Sequence, residues 1–390
     1  MKKKLTAFEA ACIVAGNGIG GGLMALPFLA QYAGWPGTIS VLTSAWLVTV
    51  ILHFMVADML FNTGNESGIL SIFNEFLFRG KWQKILTAGF FLLLLVTLIF
   101  NLSAYITGGA DIIAGLFGFP PLISNLIVYA LCTIVPLLGL KALGLSEKAT
   151  VLLMMLAMMI LAALSFIKGT HQLGAMPQSP NSLLALYGLA MFSFSAFFSV
   201  PQAVEGLDRN LKAVKKAIVL GVGINLVMSL MICFSALYAS ETVTEAAIVG
   251  WSQALGLPVK IVGSLLILFA MLTSFWAISL ALSDMVCEQL KTKRYKWFIF
   301  ICSTLPCLML SLFSGASFIS FIGIAGGAVA AIIALLLLPA YHISCKDRIS
   351  RKDINPIISL LGKAGDSMWL VVLIGLCYVL MAAGAIIAVF

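Results

Sequence analysis

Residues 16–28 read GNGIGGGLMALPF, and five of the first seven residues are glycine. Apolar sequence lies on both sides of this stretch, so it falls inside a segment suited to crossing a membrane as a helix. Each glycine destabilises a helix by about 1 kcal/mol relative to alanine, so an unbroken helix is unfavourable here. An unwound backbone in hydrocarbon leaves N–H and C=O groups unpaired unless it lines a cavity or contacts a ligand. The stretch therefore predicts a broken helix beside a binding site.

The same glycines are also compatible with close packing between unbroken helices. Gly16 with Gly20, and Gly18 with Gly22, form GxxxG pairs, which let two membrane helices approach closely. Gly16, Gly18 and Gly21 in addition fit the nucleotide-binding pattern GxGxxG. That pattern requires a preceding strand and an acidic residue about 20 positions later, and the sequence offers neither. Nucleotide binding is therefore discarded, and close packing stays open as the alternative to a cavity.

The composition indicates a helical membrane protein. Of 390 residues, 62% are hydrophobic and 10% are charged, which is too little charge to cover a soluble domain. Apolar runs long enough to span a bilayer as helices recur along the whole chain, whereas a β-barrel would show short alternating segments. These runs predict eleven spans, at 7–33, 37–61, 84–115, 122–140, 148–167, 183–206, 214–239, 259–287, 297–313, 316–342 and 368–389.

The positive charges predict the orientation of the spans. With the N-terminus in the cytoplasm, 21 of the 23 lysine and arginine residues fall inside, and only Lys168 and Lys260 fall outside. This asymmetry follows the positive-inside rule and, with eleven spans, predicts that the C-terminus lies outside. We expect the membrane to be a bacterial inner membrane. The net charge of +8 is scattered over several segments, so it is a topology signal and does not indicate nucleic-acid binding.

Two segments are expected not to span the membrane. Gly68–Gly80, GILSIFNEFLFRG, is amphipathic and is expected on the inner membrane surface. Glu241–Gly256 falls outside and carries Trp251, so we expect it to cap an outer vestibule.

A second interrupted span supports the cavity interpretation. If the fold is an inverted repeat of five helices per unit, the second unit starts from the opposite face, and span 6 is the counterpart of span 1. Span 6 contains MFSFSAFFSVPQAVEG, Met191–Gly206, in which three serines and Pro201 interrupt the apolar run. We predict one transmembrane domain over 1–390, with repeats at about 7–167 and 183–342 and an extra helix at 368–389.

Four segments in order resemble the hydroxy/aromatic amino-acid permease family of the amino acid–polyamine–organocation superfamily, which is related to the sodium-coupled neutral amino-acid transporters. They are GNGIGGGLMALP in span 1, AYITGG (Ala104–Gly109) in span 3, SFSAFFSVP in span 6 and LTSFWAI (Leu272–Ile278) in span 8. The resemblance covers nearly the whole chain. Two departures occur in span 6, where Ser195 replaces the usual glycine and the usual histidine near 196–198 is absent.

The resemblance implies a leucine-transporter-like 5+5 inverted repeat with eleven transmembrane helices, of which helices 1 and 6 are broken. It also implies a secondary active symporter, and the aromatic residues beside the second break favour aromatic or large neutral L-amino acids. Serine, threonine or small neutral amino acids are the alternative substrates. A channel, or a transceptor that senses amino acids, would share the same site and stays open.

The broken helices suggest how a zwitterion is bound. Free N–H groups around Gly20, Gly21 and Gly22 suit an α-carboxylate, and carbonyls near Val14, Ala15 and Ser193 suit an α-ammonium. Buried amides need hydrogen bonds, so Asn17, within the break, is predicted to contact the ligand or an ion. The full set of predicted substrate-binding residues is Val14, Ala15, Asn17, Gly18, Gly20, Gly21, Gly22, Asn101, Tyr105, Ser193, Phe194, Ser195, Phe197, Phe198 and Trp276.

The sequence leaves the coupling ion open between sodium and a proton, with the proton slightly favoured. By resemblance, a sodium site would lie between helix 1 carbonyls and the hydroxyls of Thr273 and Ser274, with Asn17 nearby. A proton mechanism requires a membrane-embedded carboxylate or histidine. His53 lies deep in span 2, whereas the acidic candidates fall toward span ends; they are Asp58, Asp111, Glu205 and Asp284.

The sequence lacks the motifs of an enzyme. GxxxxGK[ST], HExxH, paired CxxC and GxSxG patterns are absent, and the three histidines lie on different segments without metal-ligand spacing. We therefore expect no catalytic residue, no cofactor and no metal beyond a coupling sodium ion. The expected partners are an amino-acid substrate and the lipid bilayer, without nucleic acid or an obligatory protein partner.

Overall fold

The computed structural model describes residues 4–20, 22–63, 68–168, 174, 178–240, 243, 251–253, 255–292, 296–318, 321, 326–350 and 359–387. Most of these residues are helical, and no strand occurs among them. The α-helices in the described residues are α1 (Ala7–Ile19), α2 (Gly22–Asn62), α3 (Ile69–Ile72), α4 (Gln83–Phe117), α5 (Pro121–Leu137), α6 (Leu140–Lys168), α7 (Pro180–Phe194), α8 (Val200–Gly206), α9 (Leu211–Ala239), α10 (Leu257–Gln289), α11 (Lys296–Phe313), α12 (Gly327–Ser350) and α13 (Met368–Ile387).

The described helices account for the eleven predicted spans. Nine of them are long and apolar enough to cross a membrane, and α1 and α5 are shorter apolar helices. The long helix α2 contains a turn at Gly34, where φ is 68° and ψ is 165°, a conformation that favours glycine. Residues 22–33 therefore continue span 1 after α1, and residues 35–62 form span 2.

Side-chain caps fix where several helices begin. The hydroxyl of Thr6 accepts from the N–H of Glu9 at 3.2 Å, while the Glu9 carboxylate accepts from the N–H of Thr6 at 2.8 Å. This capping box satisfies two N–H groups that the first turn of α1 would otherwise leave free. Ser179 and Asn210 cap α7 and α9 in the same way, by accepting from the backbone of Ser182 and Ala213.

Span 1 lies at the centre of the bundle. Helix α1 packs against α6, α9 and α10, and all of its residues from Glu9 to Ile19 are buried. The apolar surface that remains exposed lies mainly on the peripheral helices, where side chains such as Leu92, Leu131 and Trp369 point outward, as expected of a surface that faces lipid. The buried break in span 1 is therefore shielded from lipid by neighbouring helices.

One span boundary differs from the sequence prediction, and other predicted segments stay predictions. Span 5 begins at Leu140 and not at 148, because the charged residues there continue the helix. Helix α12 begins at Gly327, and the start of span 10 at 316 stays a prediction because 319–320 and 322–325 lie outside the described residues. In 68–80, Phe73 is fully buried and its ring lies 4.2 Å from that of Phe90 of α4, tilted by 47°, while the place of this segment on the inner membrane surface stays a prediction. Most of 241–256 lies outside the described residues.

Trp251, which the sequence places in a cap over an outer vestibule, is among the described residues. Its side chain is fully buried, and the indole N–H donates to Ser165 of α6 at 2.9 Å and to the Ser235 carbonyl of α9 at 3.3 Å. Trp251 therefore joins spans 5 and 7.

Candidate functional site

Both predicted breaks occur in the structure. Helix α1 ends at Ile19, and Gly20 has φ −31° and ψ −161°, which is not helical. The next helical rod begins at Gly22, and Gly21 between them lies outside the described residues. In span 6, α7 ends at Phe194, Ser195 is extended, and a single 3₁₀ turn over Phe197–Ser199 leads into α8.

The two breaks face each other. A β-carbon built at Gly22 would collide with the hydroxyl of Ser193 and would lie 3.6 Å from the ring of Phe192. A β-carbon at Gly18 would lie 3.1 Å from the Ser193 carbonyl and would collide with the amide of Asn225. The backbones of spans 1 and 6 therefore approach closely at this point because glycine supplies no side chain.

A cavity of about 50 Å³ lies between the breaks. Ten of the predicted binding residues line it, together with six residues that the sequence did not single out. The predicted ones are Asn17, Gly18, Gly20, Gly22, Asn101, Tyr105, Ser193, Ser195, Phe197 and Phe198, and the others are Thr97, Leu98, Phe192, Ile278, Ala330 and Ile333. The cavity thus has a glycine-rich backbone wall and an aromatic wall.

At Gly20, two further spans approach the backbone wall closely. A β-carbon built there would lie 2.9 Å from both the Ser274 hydroxyl and the Tyr105 hydroxyl. Because Tyr105 is nearly fully buried and its ring is rigid, it cannot yield easily to a methyl group. Span 3 and span 8 therefore converge on the break of span 1.

Several buried polar atoms around the cavity have no hydrogen-bond partner among the described residues. They are Nδ2 of Asn17, Oδ1 of Asn101, the Ser193 hydroxyl and both side-chain polar atoms of Asn225. An unsatisfied buried polar group costs about 1–3 kcal/mol, so a cluster of them favours a polar ligand. Asn225 lies in α9 and is 1% exposed; its only sequence signal is a lone amide within an apolar span.

The carbonyls at the end of α1 require partners from outside the helix. The last four carbonyls of a helix lack helical partners, and α1 ends at Ile19, so these are the carbonyls of residues 16–19. The carbonyls of Val14 and Ala15 lie earlier in the helix and neither residue lines the cavity, so their role with the α-ammonium stays a prediction. Ser193, whose carbonyl is predicted to suit the α-ammonium, is the last residue but one of α7. The carbonyl of Ser193 faces span 1.

Two hydroxyls of α10 bind the end of α1. Thr273 donates to the Gly16 carbonyl at 3.2 Å, and Ser274 donates to the same carbonyl at 2.9 Å and to that of Asn17 at 3.3 Å. Thr273 also lies 3.0 Å from the Phe269 and Ala270 carbonyls of its own helix. The pair expected to hold sodium is thus brought to the helix 1 carbonyls, as the resemblance implies.

Besides Val14 and Ala15, two predicted residues lie outside the cavity. The indole N–H of Trp276 donates to the Leu131 carbonyl of α5 at 3.0 Å, so its side chain faces span 4. Successive residues of a helix differ by 100°, and Trp276 therefore points well away from Ser274, while Ile278, one turn after Ser274, lines the cavity. Phe194 is fully buried in the protein core and does not line the cavity.

Two of the four acidic candidates at the span ends have polar partners, and Asp111 is exposed. Asp58 accepts from the Leu360 N–H at 2.6 Å and from the Ser359 hydroxyl at 2.8 Å. Asp284 forms an ion pair with Lys296 at 2.6 Å, and both line a second cavity of about 300 Å³ together with Glu205. This cavity lies at the span ends that we predict to be cytoplasmic.

The sequence prediction missed a buried carboxyl group. Glu147 lies in α6 and is fully buried, and its carboxyl group contacts α1 at Gly16. The sequence places span 5 from 148 onward, so Glu147 fell in a loop there, whereas the helix begins at Leu140.

Comparisons with known proteins agree with this architecture. A sequence model of the tryptophan/tyrosine permease family matches residues 3–383. The tyrosine-specific transport system 1 of Haemophilus influenzae is 23% identical over 218 residues. That match covers 55% of this chain and 53% of the relative, so the chain spans about half the length of the curated relative it matches.

Solved transporters share the fold. Mhp1, a nucleobase-cation-symport-1 family transporter in a closed conformation with bromovinylhydantoin bound, is similar with a TM-score of 0.66 and 14% identity, over 99% of this chain and 91% of that one. The manganese transporter of Eremococcus coleocola is similar with a TM-score of 0.65 and 13% identity, over 98% and 86%. The predicted leucine-transporter-like fold is confirmed by these similarities, which at such identities show the fold alone.

Proposed function

Because the chain belongs to the tryptophan/tyrosine permease family, a family of membrane transporters and not of enzymes, we propose that it carries aromatic L-amino acids across the membrane by alternating access. The transport is coupled to an ion, with a proton favoured over sodium, and the protein lies in a bacterial inner membrane with its N-terminus in the cytoplasm. The relative from Haemophilus influenzae, a tyrosine-specific transport system by name, supports the aromatic substrate class.

One observation carries the proposal: the unwound segments of spans 1 and 6 meet across a cavity. The rod that begins at Gly22 starts at the break, so the positive end of its helix dipole lies there and suits the α-carboxylate of an amino acid. The N–H of Leu23, in its first turn, donates to the Gly20 carbonyl at 3.2 Å. The carbonyls that end α1 and α7, above all that of Ser193, carry partial negative charge and suit the α-ammonium. The unpaired amides of Asn17 and Asn225 extend this polar wall.

The opposite wall suits an aromatic side chain. The rings of Phe197 and Phe198 lie 4.6 Å apart beside the second break, and Phe192 and Tyr105 complete the lining. Aromatic pairs in offset or tilted arrangements contribute about 0.5–1.5 kcal/mol beyond their buried area. A tyrosine or tryptophan ring bound here would contact several such faces.

The size of the cavity supports a second candidate. About 50 Å³ is far smaller than a typical ligand site of 300–1,000 Å³, so aromatic side chains of the lining must move before a tyrosine enters. Serine or another small neutral amino acid requires less movement, and the cavity volume favours that class. The breaks would bind the α-carboxylate and α-ammonium of either substrate in the same way.

Counterflow in proteoliposomes tests the function and the substrate class together. Vesicles loaded with unlabelled L-tyrosine are expected to take up labelled L-tyrosine and L-tryptophan transiently, and unlabelled L-serine is expected not to compete. Competition by serine alone would favour the small neutral class. Binding of an amino acid without any exchange would indicate a sensor and contradict transport.

A further inference from the structure

Glu147 is the one buried carboxyl group in the described ranges whose oxygens have no hydrogen-bond partner. The other two buried carboxyl groups in the described ranges have partners. Glu9 forms an ion pair with Lys141 at 2.5 Å, and Asp58 accepts from the backbone and side chain of residues 359–360. A carboxylate buried without a partner costs several kcal/mol, so this side chain requires a bound proton or cation.

The carboxyl group of Glu147 lies where span 1 contacts span 5, close to the break. A β-carbon built at Gly16 would collide with its Oε2, and the same β-carbon would lie 2.9 Å from Cβ of Thr273. Gly16 lies four residues before Gly20, a distance of about 6 Å along a helix. The carbonyl of Gly16 also holds the hydroxyls of Thr273 and Ser274. One residue of the broken span therefore touches both the buried acid and span 8.

The helices around Glu147 bring few titratable groups to it. From α1, the thiol of Cys12 interacts electrostatically with Glu147 and also with Glu9. From α6, the neighbouring Lys148 is exposed. From α10, the facing residue Thr273 is not titratable. The titratable side chains of α5, α8 and α9, none of which pairs with Glu147, are Tyr129, Cys132, Glu205, Lys212, Lys215, Lys216, Cys233 and Tyr238.

These surroundings suit a proton better than a metal cation. Hard cations such as sodium bind several oxygen ligands at once. Here the acid lies against Gly16, and the nearby hydroxyl of Thr273 already donates to backbone carbonyls. A proton requires only one carboxyl oxygen and no coordination shell.

We propose that Glu147 binds and releases the proton that drives transport, an assignment that rests on the proposed transport function. Protonated Glu147 is compatible with close packing of α1 against α6. When the proton leaves, the carboxylate requires water, and α1 separates from α6 at the end that we predict to be cytoplasmic. The Glu9–Lys141 ion pair lies six residues nearer that end, about 9 Å along α6.

Coupling to the substrate follows from the continuity of span 1. The amino acid binds at Gly20 and Gly22, and the proton binds beside Gly16 on the preceding turn, so each stabilises the same packed position of the helix. By thermodynamic linkage, substrate then strengthens proton binding by the same factor by which the proton strengthens substrate binding.

The test compares wild-type protein, Glu147→Gln and Asp111→Asn in proteoliposomes. Asp111 is an exposed carboxyl group on α4 and serves as the matched control. Wild type and Asp111→Asn are expected to accumulate tyrosine under an inward pH gradient, with substrate affinity falling by up to about tenfold per pH unit at high pH for one proton. Glu147→Gln mimics the protonated acid, so it is expected to keep counterflow and lose both gradient-driven accumulation and the pH dependence of affinity.

Three outcomes would overturn the assignment. The first is pH-driven accumulation in Glu147→Gln at the wild-type level. The second is accumulation by wild type that depends on sodium and not on pH, with loss of the sodium dependence in Glu147→Gln, which would make the site a cation site. The third is an infrared spectrum of wild type without a carboxylic-acid band that Glu147→Gln removes, a readout that stands even if the variant transports poorly. Absence of counterflow in wild type for every amino acid would instead contradict the proposed function.

Discussion

The backbone N–H of Ala196 donates a hydrogen bond to Nε2 of His53 at 3.0 Å, so a side chain of span 2 satisfies the unwound backbone of span 6. The other ring nitrogen, Nδ1, lies 2.5 Å from the Thr49 carbonyl. Because a carbonyl only accepts, Nδ1 carries the hydrogen and Nε2 is the acceptor, which assigns the neutral tautomer from the network. His53 therefore stabilises a break that the bilayer would otherwise disfavour.

Replacing His53 by phenylalanine should destabilise the protein by about 1–3 kcal/mol, because the N–H of Ala196 would be buried without an acceptor. We expect a lower midpoint of thermal unfolding in detergent. His342→Phe, on α12, is the control and should unfold near the wild-type temperature. An unchanged midpoint for His53→Phe would contradict this role.

Asn225→Ala should weaken amino-acid binding about 10- to 100-fold, because the amide beside Gly18 and Ser193 is one of the polar groups available to the ligand. Titration calorimetry on the purified protein measures the affinity. Asn62, whose amide donates to Ser344 near the end of span 2, provides the matched control Asn62→Ala, which should bind as wild type does. Equal affinities in both variants would remove Asn225 from the site.

Selectivity should depend on Phe198 and not on Trp276. Phe198→Ala removes part of the aromatic wall and should reduce the preference for tyrosine over alanine, whereas Trp276→Phe loses only a hydrogen bond to span 4. Competition of unlabelled amino acids against labelled tyrosine measures the preference. A selectivity change confined to Trp276→Phe would show that the substrate contacts span 8 in another way.

In the double variant Thr273→Ala and Ser274→Ala, as in wild type, transport should not depend on sodium and should still be driven by the pH gradient. These hydroxyls hold the Gly16 carbonyl, so their loss should mainly lower stability and maximal rate. Uptake measured with sodium or choline at two pH values distinguishes the ions. A sodium requirement in wild type that the double variant loses would identify a sodium site.

The sequence predicted the spans and the breaks because both depend on local properties. Long apolar runs require helices in hydrocarbon, and the glycines around Gly20 and the serines before Pro201 weaken a helix wherever it lies. Ten of the residues predicted from these local signals line the cavity. Repeat boundaries and the orientation of the termini stay predictions.

The errors and omissions arise from contacts between distant segments. Glu147 is unremarkable in sequence, and its importance comes from packing against Gly16, 131 positions away. Asn225 was also missed because its position in the site comes from distant contacts: its amide and the Ser193 carbonyl both lie beside Gly18. Trp276 was assigned to the cavity by its motif, but the helix rotation that determines its direction is set by packing on span 4. Val14 and Ala15 lie before the last four residues of α1, because the end of a helix cannot be located to within one turn from sequence.

The central claim is that the backbone at the break of span 1 binds the amino acid directly. Calorimetric titration of tyrosine into Gly20→Ala tests it, with Gly223→Ala as the control, because a β-carbon at Gly223 meets no atom within 4 Å. We predict that Gly20→Ala, folded by size-exclusion chromatography, binds at least about 100-fold more weakly, equal to about 2.7 kcal/mol, while Gly223→Ala binds like wild type. Wild-type affinity in Gly20→Ala would contradict the account.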